Sequence, residues 1–232
     1  MPNCRKEYFV FTDADCIYGE DKNERIHKIF QKNLGWPDNT LKRFHIFSTI
    51  KDTLAQFDYC FFMNANCICK GQVTEEEFLP VTERLLVVRH PGFWRKSVSQ
   101  YTYDRNPQST AYIPEGEGTY YVCGGVNGGK AAAFLELVEK IRENVDADEE
   151  KGIVALWHDE SHLNRYILNR KDFRVLSPSY CYPEGWKIPF DKKIVVREKS
   201  KWIDMDGVRN NSNEKSSVIK KIKSRIKGCI FK

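Results

Sequence analysis

Two short apolar runs that stop abruptly at polar residues constrain this chain more than any other feature. Residues 8–12 (Tyr-Phe-Val-Phe-Thr) are aromatic and β-branched and close at Asp13, while residues 59–63 (Tyr-Cys-Phe-Phe-Met) close at Asn64-Ala65-Asn66. Each reads as a buried strand ending in a polar loop. Between them Leu41, Phe44, His45, Ile50, Leu54 and Phe57 recur at mixed short spacings, which predicts a helix over 41–57 crossing between two parallel strands. That pairing makes the chain α/β.

Residues 84–88 form a third candidate strand. A glycine-rich stretch then begins at Val122 (Cys-Gly-Gly-Val-Asn-Gly-Gly) and leads into a helix over 130–142. Glycines at 124, 125, 128 and 129 remove side chains from a surface, so either the backbone comes close to something there or the stretch is a set of tight turns. A further helix is predicted over 159–169 and a last strand over 192–197. The expected organisation is a domain over 1–197, a mobile arm over 198–217 where hydrophobic periodicity is lost, and a tail over 218–232.

The eight cysteines are scattered without a Cys-x-x-Cys pair, as expected of reduced thiols in a cytosol rather than of a zinc site or a disulfide framework. No run of eighteen apolar residues and no leader-like N-terminus occurs, so a cytoplasmic location is expected. The chain carries +5 overall, but its last eighteen residues hold seven basic side chains and no acid, leaving residues 1–214 at a net charge of about −2. A near-neutral body argues against a nucleic-acid partner. In the tail Val218, Ile222, Ile226 and Ile230 recur every four residues among lysines and Arg225, the pattern of a basic amphipathic helix suited to an anionic membrane surface; a frayed solvated tail is the other reading.

Three constellations bear on chemistry. Asn64 and Asn66 follow a strand end, where ligands bind in open α/β sheets; neutral amides can bond ribose and phosphate oxygens but supply no anionic ligand for Mg²⁺ or Mn²⁺, and the motif can equally be a turn. Residues 157–162 pack Trp157, His158, Asp159, Glu160, Ser161 and His162 before a helix, which suggests an active site, or else a charged helix start capped by Asp159 with Trp157 in the core. Residues 90–114 carry Trp94, Tyr101, Tyr103, Tyr112, Arg95, Gln100, Asp104 and Arg105, groups able to grip sugars or to anchor an irregular loop.

Several strings in one order resemble glycosyltransferase family 6, the family of the histo-blood group A/B and α-1,3-galactosyltransferases. They are Tyr8-Phe-Val-Phe-Thr-Asp13, Trp36-Pro-Asp-Asn-Thr-Leu-Lys-Arg43, His90-Pro-Gly-Phe93, Pro107-Gln-Ser-Thr-Ala-Tyr-Ile-Pro114, Gly124-Gly125, Trp157-His-Asp-Glu-Ser-His-Leu-Asn164 and Leu176-Ser-Pro178. The resemblance covers nearly all of residues 8–197. It implies a GT-A fold, a mixed central sheet flanked by helices, and retaining α-1,3 transfer of galactose or N-acetylgalactosamine from a UDP-sugar to a galactose-containing, fucosylated acceptor.

Carried over residue by residue, Glu160 matches the family's proposed nucleophile. Arg43, His158 and Asp159 match donor-sugar contacts, and Asn64 and Asn66 lie on the ribose and diphosphate side. His90, Thr102, Trp157 and Glu184 match acceptor positions. Lys199, Lys201 and Arg209 resemble a clamp on the diphosphate. Donor choice in the family turns on small residues beside the sugar's 2-position; Cys123, Gly124 and Gly125 are all small, which favours N-acetylgalactosamine.

The chain departs from the family twice. Vertebrate members carry Asp-x-Asp where this chain has Asn64-Ala65-Asn66, as bacterial relatives do, so activity without a metal is expected. The family's opening strand and helix are not matched before Tyr8, so the resemblance implies a sheet lacking that unit. A carbohydrate-binding protein that kept the cleft without turnover is the competing expectation.

Overall fold

The structure is a computed structural model, and it describes residues 1–201, 203–205 and 207. Arg209 and the tail over 218–232 lie outside the described residues. The central sheet has four strands in the order β3 (Tyr59–Met63), β6 (Val122–Lys130), β5 (Leu85–Arg89), β7 (Phe173–Leu176). β6 runs antiparallel to both β3 and β5, and β7 runs parallel to β5, so the sheet is mixed. β5 explains why it sits at the centre: Leu85 and Val87 face one core and Leu86 and Val88 the other, and a strand buried on both faces needs a continuous apolar run.

On one face lie α2 (Arg43–Ser48), the twenty-residue α5 (Ala131–Glu150) and α6 (Asp159–Ile167). α5 buries Phe134, Leu137, Val138, Ile141, Val145 and Asp148, the spacing of a single helical face. On the other face Phe78 of α4 (Glu75–Phe78), Tyr180, Cys181 and Ile194 pack against Leu86, Val88, Cys123 and Val126. A separate pair, β1 (Tyr8–Thr12) and β2 (Ile26–Phe30), is parallel, and β4 (Cys67–Cys69), β9 (Ile194–Val196) and β8 (Tyr182–Pro183) form a third small sheet. Together these make the mixed α/β architecture of a GT-A fold.

Three sequence expectations change. The helix over 41–57 is three short helices, α1 (Asp38–Leu41), α2 and α3 (Lys51–Leu54), broken at Lys42 and around Thr49 and Ile50. The strand after them, β3, is not the parallel neighbour of β1; β1 pairs with β2 instead. The glycine-rich stretch is not a run of turns but strand β6. A Cβ at Gly128 would lie 2.3 Å from the Cys60 carbonyl oxygen, and one at Gly129 2.3 Å from that of Arg84. The flanking strands approach β6 too closely for any side chain there, which is why glycine stands in a strand it otherwise weakens.

The carboxyl ends of β3, β5 and β7 share one edge with the beginning of β6, because Met63 pairs with Val126, Arg89 with Val122 and Val88 with both Cys123 and Leu176. Asn64, His90, Gly124 and the turn Pro178–Cys181 therefore converge at one end of the sheet, where strand ends expose loops and a helix N-terminus.

Candidate active site

The site begins with an irregularity in β6. Its partner on β5 passes from Val87↔Asn127 directly to Val88↔Cys123, leaving residues 124–126 without partners on that side. Such bulges re-aim a strand, and here the extra residues bring the Gly124 backbone against the start of α6. Gly124 N–H donates to Glu160 Oε2 at 2.8 Å. The Gly124 carbonyl accepts from Arg43 Nη1 at 3.3 Å and from the buried Asn127 Nδ2 at 3.2 Å.

Arg43, reaching in from α2, lies with its guanidinium 4.2 Å over the Phe62 ring and pairs with Asp159 Oδ2 at 2.5 Å. Asp159 is 3% exposed, and burial lifts its pKa to about 6 even with Arg43 pulling it down. Glu160 is lifted further, to about 7, chiefly by burial and also by the Asp159 charge, against the lowering effect of its bonds from Gly124 N–H and the Tyr121 hydroxyl at 3.0 Å. Two carboxylates enclosed at a helix N-terminus, both lifted from ordinary values, are what a reactive site requires. Asp159 is not the helix cap: His158 holds that position with no side-chain capping bond, at φ 53°, a backbone region an imidazole-bearing residue adopts at a cost of about 1–3 kcal/mol. The Trp36 ring meets His158 edge-on at 4.7 Å. Trp157 is 48% exposed and so is not core.

His90, at the end of β5, stands edge-on to Tyr121 with ring centroids 5.6 Å apart; its Nδ1 accepts from Gly92 N–H at 3.0 Å, and burial lowers its pKa to about 4, so it is neutral. The Thr102 carbonyl lies 3.5 Å from the Tyr121 hydroxyl. The structure thus brings Arg43, His90, Thr102, Gly124, His158, Asp159 and Glu160 together. Gly125 faces away from α6: a Cβ there would meet Asn64 Nδ2 at 3.0 Å and Cys181 Sγ at 3.3 Å.

Other positions fall elsewhere. Cys123 is buried in the second core with its thiol toward the Val88 carbonyl. The glycines do not leave open space either, since a Cβ at Gly124 would lie 3.3 Å from Asp159 Oδ2 and 3.4 Å from Glu160 Cβ. Their smallness serves the close packing of α6 and Asn64 onto β6. Glu184 accepts from Glu198 N–H and pairs with Lys201 at 3.3 Å, so Lys201 is engaged away from Arg43. Lys199, in contrast, interacts electrostatically with Arg43 and Asp159, and its pKa is lowered by desolvation first and by Arg43 second. Tyr101 and Tyr103 are buried in an aromatic cluster with Tyr121 and Phe93, and Trp94 packs on Phe190 under Arg95. Those aromatics anchor the 90–114 loop.

Asn66 Nδ2 donates to the Arg197 carbonyl at 2.6 Å and the Arg197 N–H returns to Asn66, tying the β3–β4 turn to the end of β9. Asn66 Oδ1 is buried with no bonding partner. This donor set does not fit a divalent cation: two neutral amides face the turn, one already committed to a carbonyl, and among the described residues no three His, Cys, Asp or Glu side chains cluster as ligands. Sequence reasoning missed Tyr121, Asn127 and Cys181; of these only Tyr121 carried a signal, an aromatic placed directly before the glycine stretch.

The tight contact at Gly124 gives a test. Gly124→Ala is expected to displace the start of α6 by a few tenths of an ångström and to lower kcat/KM by roughly 10- to 100-fold, while stability falls by only about 1 kcal/mol. Steady-state kinetics beside urea unfolding separates the two effects.

A family model, glycosyltransferase family 6, matches residues 1–210. Among curated proteins the chain is 34% identical over 201 residues to the O-antigen biosynthesis glycosyltransferase WbnI of Escherichia coli, covering 87% of this chain and 84% of that one. It is 33% identical to histo-blood group ABO system transferase 1 of Rattus norvegicus (77% of this chain, 53% of that one), and 28% identical to globoside alpha-1,3-N-acetylgalactosaminyltransferase 1 of Gallus gallus (79% and 54%). The chain spans about half the length of these two vertebrate relatives.

Proposed function

The chain belongs to glycosyltransferase family 6, and from that premise we propose that it is a retaining transferase moving N-acetylgalactosamine, or galactose, from a UDP-sugar to the 3-position of a galactose-containing glycan without a metal ion. The observation that carries the reading is Glu160: an enclosed carboxylate with a donor on each oxygen, next to an Arg43–Asp159 pair at a helix N-terminus. Such a group can face the positive charge that grows on the anomeric carbon as its bond to the diphosphate oxygen breaks. The bonding electrons leave with UDP. The acceptor hydroxyl then forms the new glycosidic bond and gives up its proton to the departing diphosphate. Retention follows whether Glu160 forms a covalent intermediate or stabilises an oxocarbenium-like state, and either route needs it ionised.

Negative charge on departing UDP must be offset. With amides at the β3–β4 turn, Lys199 is the described cation best placed for that. For the sugar, the activity for which the Gallus gallus relative is named supports N-acetylgalactosamine, whereas steric room at Cys123, Gly124 and Gly125 does not.

The test is incubation with UDP-N-acetylgalactosamine or UDP-galactose and a fucosylated galactoside, with and without EDTA. Product is expected at an unchanged rate in EDTA and faster from the N-acetylated donor. Activity that disappears in chelator and returns with Mn²⁺ would contradict the metal-free reading, and no transfer from either donor would favour a binding protein.

A further inference from the structure

Tyr121 is 1% exposed, and its ring is locked on three sides: Phe93 lies at 4.3 Å, Tyr103 stacks at 5.4 Å and His90 meets it edge-on. That fixes where the hydroxyl oxygen sits, and it donates to Glu160 Oε1 at 3.0 Å, with the Thr102 carbonyl a longer alternative at 3.5 Å. Oε2 is held independently by the Gly124 backbone. A carboxylate gripped at both oxygens cannot rotate about its last bond, so its plane, and the lone pairs left free, are fixed before any sugar arrives.

Resting on the assignment of Glu160 to the reaction, we infer that Tyr121 is a positioning residue: its hydroxyl fixes the Glu160 carboxylate plane and favours the charged form the reaction requires. A backbone N–H alone would hold one oxygen and leave the plane free to swing. The groups that otherwise act on Glu160 are Asp159 beside it on α6, Arg43 from α2, and the Cys123 thiol on β6. His90, at the end of β5, touches Tyr121 and is neutral. Burial and Asp159 oppose the charge; Tyr121, Gly124 N–H and Arg43 favour it. Of the favourable three, Tyr121 is the one a side-chain change removes without stripping Asp159 of its partner.

The experiment is the pH profile of kcat/KM for Tyr121→Phe beside wild type and Glu160→Gln. Phe keeps the ring stack, so a purely structural role predicts little change. The expected result is an acid limb moved upward by roughly one pH unit, a loss of about tenfold near neutrality, and near-recovery at about pH 9, with KM for the donor within about threefold of wild type. A limb that does not move, or a loss equal at every pH, overturns the inference. Glu160→Gln with wild-type turnover would instead remove the functional assignment of Glu160, so the two failures are distinct. If Tyr121→Phe does not fold, site-specific 3-fluorotyrosine at 121, a stronger donor, must move the limb downward; an unmoved limb is again fatal.

Discussion

Glu160→Gln is expected to lower turnover by about 10³-fold or more while making the protein more stable above neutral pH. The loss follows because an amide can neither bond the anomeric carbon nor offset a full positive charge there. The gain follows from the folded-state pKa of about 7 against 4.5 for the free side chain. A carboxyl group whose pKa is raised on folding holds its proton more tightly in the native state, so stability falls as pH climbs between the two values and the whole penalty, on the order of 3 kcal/mol, is present above both. Gln escapes it at little cost. Its amide oxygen can accept from Gly124 N–H, its NH₂ can donate to the Tyr121 oxygen, and the Tyr121 hydroxyl can turn to the Thr102 carbonyl. A net gain of about 2 kcal/mol is expected at about pH 8, shrinking to nothing toward about pH 3.5, where Glu160 is neutral in both states. Urea unfolding at both pH values measures it, and equal stability at both would show that Glu160 is not strained by burial.

The same numbers predict how the wild type behaves. If the reaction needs ionised Glu160, as proposed, activity is expected to rise with pH through the range in which stability declines. The active site is therefore a place where function and folding pull in opposite directions, as expected when a charge is buried for use.

What could be read from the sequence followed how regular each element is. β5 and α6 were legible because a doubly buried strand gives an unbroken apolar run and an amphipathic helix gives its period. β2 was not, since Ile26–Phe30 is half exposed in a two-stranded sheet and mixes His27 and Lys28 into the pattern. β6 was left open between a close backbone approach and a set of turns because glycine serves both; only the neighbouring Cys60 and Arg84 carbonyls, distant in sequence, decide for the close approach. The break of 41–57 into three helices follows the β-branched Thr49 and Ile50, whose weak helix preference the apolar spacing concealed.

At the site, the carboxylates, Arg43 and His90 were legible through their strings, and their convergence is what the fold adds. Aromatic residues were the opposite case. Tyr101, Tyr103 and Tyr121 are equally plausible as sugar platforms or as core, because an aromatic ring serves both purposes and only burial distinguishes them. Cys123 likewise looked like a donor-side residue until strand alternation placed its thiol in the opposite core.

Arg43 supports the second large expectation. It has a packed ring beneath it, a carbonyl beside it and a buried carboxylate in front of it, so Arg43→Met preserves much of the contact with Phe62 while leaving Asp159 alone. An uncompensated buried charge costs about 3–5 kcal/mol, and that loss is expected in urea unfolding near neutral pH. Asp159 already titrates near 6 with its partner present, so without Arg43 its pKa moves higher still, and the defect must lessen as the pH falls and the group is neutralised. Arg43→Met with Asp159→Asn removes both charges together; most of the lost stability is expected to return, while transfer is expected to stay at least about 10²-fold below wild type if, as proposed, both side chains bond the donor sugar. A double variant no more stable than Arg43→Met would mean that Arg43 acts through Phe62 and the Gly124 carbonyl, and not through its pairing with Asp159.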